Sequence, residues 1–374
     1  MAEGELNEDN SFSLTRLEFN ITSKCNLNCC YCANDFNLMS SKTLSLETMA
    51  HIMDRVGPEI VNFTGGEPTL ERVLVPAIQA AKERGIIVQL DTHATTLTTR
   101  RIDDLVVAGV DRFHVSYSTT REKFREIRGV PKRLFHNLQR NLRHIAAIPS
   151  VELLCEAVLS TENYKDFPRL YKEVVDIGAD EFQVQPLLPF GRADYKMLLP
   201  PGVMTEVIEG LYAIEDPRTP LKIWCSYITR CSPYADRVYK EERSTNKAIQ
   251  SEQGRKQTGL STGCLEGWTR LHIHNNGDVL ICDLVNWPAI GNVYEKDILD
   301  IYNDTFLREV RATKPEACES CEYWHSCHNV CPATAFNMTG NLRTRFWDLY
   351  KLKDQQPIEI ELSPKEVKIP PRPR

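Results

Sequence analysis

The 374-residue chain lacks the features that mark membrane, secreted and nucleic-acid-binding proteins. No run approaches 18 consecutive apolar residues, which argues against a membrane-spanning helix. The first ten residues, MAEGELNEDN, are polar and acidic, whereas a secretory signal pairs basic residues with an apolar stretch. The net charge of −6 argues against a partner built on a phosphate backbone. We therefore expect a cytoplasmic protein with no membrane or nucleic-acid partner.

Cysteine, by contrast, is abundant, with 13 residues. A large chain without an export signal belongs in a reducing compartment, where clustered cysteines bind metals or perform redox chemistry. Four of them lie within eight positions, in the segment CNLNCCYC at residues 25–32. This density predicts a metal or redox centre near the N-terminus.

Two triplets of this segment could act together. Cys25, Cys29 and Cys32 have the spacing C-x3-C-x2-C, and Cys30 in place of Cys29 gives C-x4-C-x-C. Three thiolates can hold three irons of a [4Fe–4S] cube and leave the fourth iron open. A zinc site with a remote fourth ligand is the alternative.

The first half of the chain alternates β-rich runs with amphipathic helical runs. The β-rich runs occupy residues 14–22, 59–66, 85–92, 112–119, 151–160 and 181–189. Apolar residues in the helical runs recur at spacings near 3.6, as in residues 46–56. Six βα units predict an α/β fold, an open partial (β/α)6 barrel with a parallel sheet. Ligands should then lie at the C-terminal ends of the strands.

Changes in composition and in apolar patterning along the sequence predict five segments. A polar leader occupies residues 1–13, and the partial barrel occupies residues 14–215. A bridge follows at residues 216–258. Residues 259–352 contain short segments, turns and six cysteines, which predicts a second, metal-binding domain. Residues 353–374 form a charged, proline-rich tail.

The second β-rich run ends in FTGGEP, residues 63–68. Together with C-x3-C-x2-C one βα unit earlier, it resembles the radical S-adenosylmethionine (SAM) enzymes. The resemblance implies a [4Fe–4S] cluster that binds SAM and is held by Cys25, Cys29 and Cys32, with Cys30 a bystander. It also implies that the open iron binds the SAM amino and carboxylate groups.

Further cofactor contacts are implied by the same resemblance. Gly65, Gly66, Glu67 and Pro68 would lie at the SAM amino end, and Tyr31 near the adenine. Ser116 would touch the SAM carboxylate, with Arg140 or Arg143 as its ion-pair partner.

His93 follows the third predicted strand and would project towards the cavity. It could accept a proton near neutral pH. A structural imidazole hydrogen-bonded to the backbone is the alternative.

A second cysteine pattern lies in the C-terminal part. Cys264, Gly277 and Cys282 form C-x12-G-x4-C, and Cys318, Cys321, Cys327 and Cys331 form C-x2-C-x5-C-x3-C. In isolation the four later cysteines would favour zinc. Behind a radical SAM core, the pattern resembles the SPASM extension, which carries auxiliary iron–sulfur clusters.

The SPASM resemblance implies one cluster held by Cys264, Cys282 and Cys331 and another held by Cys318, Cys321 and Cys327. Asp348 stands near the place of the usual seventh cysteine, as a ligand or as a plain surface acid. One auxiliary [4Fe–4S] cluster instead of two remains open.

Cys225 and Cys231 lie in the predicted bridge. Either could supply a fourth cluster ligand, or return a hydrogen atom to a substrate radical as an epimerase requires. A buried apolar cysteine is the alternative for each.

The resemblance implies an enzyme that cleaves SAM reductively to a 5′-deoxyadenosyl radical and abstracts a substrate hydrogen. We expect a maturase-type oxidation of a peptide or protein side chain. The alternatives are a dehydrogenase or epimerase acting on a sugar or aminocyclitol, and a non-catalytic iron–sulfur or zinc scaffold or redox sensor. The electron donor would be a flavodoxin or ferredoxin. Because the first strand begins near residue 14, a peptide substrate would call for a separate leader-binding protein.

Overall fold

The computed structural model describes residues 13–33, 42–188, 191–223, 266–283 and 289–312. Their strands form one ten-stranded sheet in the order β10-β9-β8-β1-β2-β3-β4-β5-β6-β7. The strands, in chain order, are β1 Arg16–Thr22, β2 Ile60–Gly65, β3 Ile87–Thr92, β4 Arg112–Ser116, β5 Glu152–Leu159, β6 Glu181–Pro186, β7 Leu221–Ile223, β8 Arg270–His274, β9 Asp278–Leu280 and β10 Gly291–Asn292.

All six predicted strands are present, and each pairs in parallel with the next. Helices connect them: α1 Leu46–Val56, α2 Leu74–Glu83, α3 Thr99–Ala108, α4 Phe124–Arg128, α5 Leu134–Ala146, α6 Phe167–Ile177 and α7 Pro201–Ala213. Two shorter helices, α8 Ile298–Tyr302 and α9 Thr305–Ala312, follow β10. The predicted α/β fold with a parallel barrel sheet is confirmed.

Local signals in the sequence fix the helix ends. In α1, the hydroxyl of Ser45 accepts a hydrogen bond from the backbone N–H of Thr48 and so caps the first turn. The helix ends at Gly57, whose φ of 62° is the left-handed conformation that glycine adopts at low cost. The buried face of α1 carries Met49, Ile52 and Met53, as the apolar spacing predicts.

The sheet extends past the six predicted strands at both edges. At one edge β7, which lies within the predicted bridge, pairs in parallel with β6. At the other edge β8 pairs in parallel with β1, and β9 and β10 follow antiparallel. The β8–β10 segment, which belongs to the predicted second domain, thus covers the edge of β1 that would otherwise expose unpaired backbone groups.

Side chains alternate between the two faces of β1. Leu17, Phe19 and Ile21 belong to the main apolar core. Glu18 and Asn20 occupy the alternating positions and are also buried. One face of the barrel sheet is therefore apolar and the opposite face is polar. None of the helices in the described ranges is long and apolar enough to cross a membrane.

Candidate functional site

A cavity of about 240 Å³ lies at the C-terminal ends of the barrel strands. The loop after β1 lines it with Cys25, Cys29 and Cys32 and with Tyr31. The other predicted site residues that line it are Gly65, Gly66, His93 and Ser116. Residues far apart in the sequence thus meet at the edge where a barrel places its ligands.

Backbone hydrogen bonds hold the cysteine loop on three sides. The N–H groups of Gly66 and Glu67 donate to the carbonyls of Thr22 and Lys24, at 2.8 and 2.7 Å. The N–H of Cys30 donates to the Ile127 carbonyl at 3.0 Å. A third tie joins the N–H of Arg192 to the Cys32 carbonyl at 2.9 Å. These bonds orient the three thiols before any ligand arrives.

The two glycines of FTGGEP are required by the same loop. A Cβ atom at Gly66 would lie 2.2 Å from the Lys24 carbonyl oxygen, and one at Gly65 would lie 2.4 Å from the Thr22 carbonyl oxygen. Gly65 also has a φ of 141°, which other residues rarely adopt. Glycine is therefore required at both positions by close packing against the cysteine loop.

Glu67 and Pro68 support the site from below and do not line the cavity. Glu67 is fully buried. Its Oε1 accepts hydrogen bonds from the hydroxyls of Thr69 and Thr92, at 2.6 and 2.8 Å, and its Oε2 accepts from the N–H of His93 at 2.9 Å. Pro68 begins a short 3₁₀ turn. The Glu67 carboxylate is therefore engaged within the protein, and its contact with the SAM amino group stays a prediction.

His93 is positioned by hydrogen bonds at both ring nitrogens. Nδ1 accepts from the N–H of Thr95 at 3.1 Å, so the ring proton belongs on Nε2, which lies 2.6 Å from Oδ1 of Asn26. Burial lowers the pKa of His93, which keeps the ring neutral near pH 7. This arrangement favours the structural imidazole over the proton acceptor.

Cys30 differs in its surroundings from the three other cysteines of its segment. It packs against a small apolar cluster that contains Tyr31, Ile127, Leu187 and Leu198. It does not line the cavity. The placement supports the triplet Cys25, Cys29 and Cys32.

Arg128, at the end of α4, is a buried cation of this cavity. Its Nη2 donates to the Ser116 carbonyl at 2.9 Å, and its Nη1 lies 3.6 Å from the Cys29 sulfur. The predicted Arg140 and its alternative Arg143 are exposed on α5 and do not line the cavity. Arg128 therefore replaces Arg140 as the candidate partner of a carboxylate ligand.

One feature of the sequence next to Arg128, the glycine at position 129, could have indicated a close contact at the end of α4. Gly129 follows it with a φ of 69°, and a Cβ atom there would lie 2.6 Å from the Asn28 carbonyl oxygen. The helix end must therefore press against the cysteine loop. The contact between Arg128 and Cys29 joins residues 99 positions apart, and local sequence patterns do not predict contacts over such a separation.

The donor set fits an iron–sulfur cluster. Burial raises the pKa of Cys25 to about 11, so binding of a metal must displace its proton. Within the described residues, no three His, Cys, Asp or Glu side chains converge on a single metal ion. In a [4Fe–4S] cube each thiolate binds a different iron, so ligands arranged around a cavity suit the cube.

Below the cysteines, the cavity is lined by Asp91, His114 and Glu156 on three adjacent strands. His114 Nδ1 lies 3.1 Å from Oδ1 of Asp91, and Nε2 lies 3.4 Å from Oε2 of Glu156. Nε2 is also 3.0 Å from Oε1 of Gln183. Burial by itself would lower the pKa of His114, but Asp91 and Glu156 raise it to about 9. His114 is therefore an imidazolium at neutral pH.

This raised pKa predicts a pH-dependent stability. The folded pKa of about 9 exceeds the ordinary value of 6.5, so the stabilisation is complete below pH 6.5 and disappears as pH rises through 9. We expect the wild-type free energy of unfolding to fall by about 3 kcal/mol more than that of His114→Gln over this interval. Denaturant titrations of both proteins at several pH values measure this difference. If the free energy of unfolding changed equally with pH in the two proteins, the ion pair would be contradicted.

The second predicted cluster region is described in part. Cys282 is buried just after β9. The next residue, Asp283, has its Oδ1 2.7 Å from Nε2 of His274 and 3.1 Å from Nδ1 of His272. The remaining predictions for this half, Cys225, Cys231, Cys264, Cys318, Cys321, Cys327, Cys331 and Asp348, lie outside the described residues.

Two family models match the chain. Residues 19–174 match the radical SAM superfamily, and residues 264–328 match the SPASM iron–sulfur cluster-binding domain. The AdoMet-dependent heme synthase of Methanosarcina barkeri is 25% identical over 338 residues, 87% of this chain and 93% of that protein. The PqqA peptide cyclase of Bradyrhizobium diazoefficiens is 26% identical over 86% of this chain and 82% of its own length.

Among solved structures, SuiB of Streptococcus suis bound to its precursor peptide SuiA superposes with a TM-score of 0.70. The two chains are 19% identical, and the match covers 90% of this chain and 75% of SuiB. Another SuiB structure, with S-adenosylmethionine bound, has a TM-score of 0.69. At this identity the likeness establishes the fold, and the sequence resemblance to both families is confirmed by the two family models.

Proposed function

Because residues 19–174 match the radical SAM superfamily and residues 264–328 match the SPASM domain, we propose that this chain oxidises a peptide or protein side chain through radical chemistry. Radical SAM and SPASM domains bind [4Fe–4S] clusters, and SAM is the cosubstrate of the first. When bound, the cluster and SAM supply reductive cleavage of the sulfonium and a 5′-deoxyadenosyl radical that takes a substrate hydrogen.

One observation carries the proposal: a single cavity collects three cysteines from the β1 loop, two glycines from β2 and a buried arginine. In this proposal Cys25, Cys29 and Cys32 ligate the cluster. Arg128 binds the SAM carboxylate, because its guanidinium lies beside Ser116 and is buried in the cavity wall. Tyr31 shields the adenine side, since its ring lines the cavity and is only 8% exposed.

The peptide substrate is supported by two kinds of relative. A PqqA peptide cyclase matches most of this chain, and SuiB, which shares the fold, is known with a precursor peptide bound. Net oxidation needs an acceptor for the substrate electron. An auxiliary cluster in the SPASM domain would serve, with a flavodoxin or ferredoxin exchanging electrons and a separate leader-binding protein presenting the peptide.

Short peptides encoded beside the gene test the substrate class. Incubated anaerobically with reconstituted enzyme, SAM and dithionite, one of them should lose two hydrogen atoms by mass spectrometry. If all of these peptides stay unchanged while a sugar or aminocyclitol is oxidised, the peptide assignment fails and the small-molecule alternative replaces it.

A further inference from the structure

Four charged side chains line the cavity, and three of them, Asp91, His114 and Arg128, make side-chain hydrogen bonds within the protein. Asp91 faces the His114 imidazolium at 3.1 Å and accepts a hydrogen bond from Nδ2 of Asn62 at 2.8 Å. Arg128 is engaged by the Ser116 carbonyl and lies beside the Cys29 sulfur. The fourth is Glu156, whose situation is different.

The side-chain carboxylate of Glu156 accepts no hydrogen bond from any residue in the described ranges, whereas its backbone carbonyl accepts one from the N–H of Tyr117. Its nearest charged neighbour there is Nε2 of His114, 3.4 Å from Oε2, and that nitrogen is closer to Oε1 of Gln183, at 3.0 Å. The side chain is 20% exposed and lines the cavity. The charge on His114 is shared between two carboxylates, and Asp91 is the closer of them. Arg128 also lowers the pKa of Glu156 but donates no hydrogen bond to it.

A carboxylate removed from bulk water is stable as an anion only beside a positive charge or several donors. Burial raises the pKa of Glu156, because the cavity stabilises its anion less well than water does. An occupant of the cavity that brings a cationic nitrogen would supply the missing charge. A neutral occupant would exclude water and leave the carboxylate without a hydrogen-bond donor.

The position of Glu156 suits a substrate group. In the paired strands, Glu156 is in register with Ser116 and lies three residues before the end of β5. The cysteines belong to the loop that follows β1, beyond the strand ends. A group bound at Glu156 would therefore lie within the strand layer of the barrel, beneath the place predicted for the cluster and beside Ser116.

We propose that Glu156 binds a cationic nitrogen of the substrate, an ammonium or guanidinium group, and thereby selects substrates that carry one. The inference rests on the proposed function, because it assigns this cavity to a substrate of the radical reaction. A lysine or arginine side chain and an amino sugar share this chemistry, and matched probes separate the two sources.

Two pairs of probes differ in the cationic group. Nα-acetyl-lysine methylamide is compared with Nα-acetyl-norleucine methylamide, and glucosamine with glucose. Each is titrated calorimetrically into the full-length protein, reconstituted with iron and sulfide and saturated with SAM, without reductant. In at least one pair the cationic probe should bind about tenfold more tightly than the neutral one, a difference of about 1.4 kcal/mol. The pair that shows the preference identifies the source.

Glu156→Gln should reduce that preference to about onefold, because the amide keeps the shape and loses the charge. Glu152→Gln is the matched control, since Glu152 lies on the same strand, is half exposed and pairs with Arg112. It should keep the preference. Equal binding within both pairs, no measurable binding of either cation, or a preference retained in Glu156→Gln would overturn the inference. Formation of 5′-deoxyadenosine by the wild type, measured separately, decides whether the proposed function itself stands.

Discussion

Cys29→Ala is expected to lose 5′-deoxyadenosine formation altogether, including the slow formation that occurs without substrate. The thiol lines the cavity beside Cys25 and Cys32, and a three-thiolate cluster that loses one ligand cannot keep the geometry that leaves one iron open. Anaerobic reconstitution, followed by dithionite and SAM and by chromatography of the nucleoside, measures the product. Cys25→Ala and Cys32→Ala should behave in the same way.

Cys30→Ala is the matched control, because it removes a thiol from the same segment. Its side chain packs on Ile127 and its neighbours instead of lining the cavity. The variant should bind iron and form 5′-deoxyadenosine at close to the wild-type rate. Loss of the product in Cys30→Ala, or its persistence in Cys29→Ala, would show that the other triplet holds the cluster.

Arg128→Gln should weaken SAM binding by about 10- to 100-fold. The guanidinium is 4% exposed, and a hydrogen bond to a charged group contributes roughly 1.5–3 kcal/mol. Burial by itself would lower the pKa of Arg128, but the acidic groups of Tyr31 and Cys29 raise it, so the charge is retained. Equilibrium dialysis of SAM against the reconstituted variant measures the affinity, and iron content shows whether the cluster still assembles.

Arg140→Gln makes the same substitution on the exposed surface of α5. It should leave SAM affinity unchanged. A comparable loss in both variants would mean that Arg140 reaches the ligand after all, and a loss in Arg140→Gln alone would return the role to the residue that the sequence predicted.

The sequence predicted well whatever depends on local pattern. Six strands and the helices between them follow from alternation and from apolar spacing, and each strand occupies the predicted run. The prediction of the cysteine triplet rests on its spacing together with the FTGGEP segment, and the structure places all three cysteines at one cavity. These features require no knowledge of how distant segments meet.

Features that depend on tertiary contact were not predictable in the same way. Arg128 reaches the cavity because the end of α4 packs on the cysteine loop, whereas the charge pattern gave no reason to prefer it to Arg140. The carboxylate of Glu67 accepts hydrogen bonds from Thr92 and His93, which belong to a different βα unit. The pairing of β8 with β1 joins segments about 250 residues apart, a separation over which local patterns carry no information.

The polar cavity face shows the same limit. Asp91, His114 and Glu156 occupy positions in β3, β4 and β5 whose side chains face away from the apolar core. Only the parallel register, which sets Asp91 opposite His114 and Ser116 opposite Glu156, brings their charges together. The balance of charges in the cavity therefore depends on the tertiary structure and cannot be derived from the sequence of each strand alone.

The central claim is that this chain holds a cluster through Cys25, Cys29 and Cys32 and uses it to cleave SAM reductively. The most direct test is the anaerobically reconstituted wild-type protein, loaded with iron and sulfide and given dithionite and SAM. We expect this protein to form 5′-deoxyadenosine and methionine in equal amounts. A protein with the full complement of iron that binds SAM and forms neither product would contradict it.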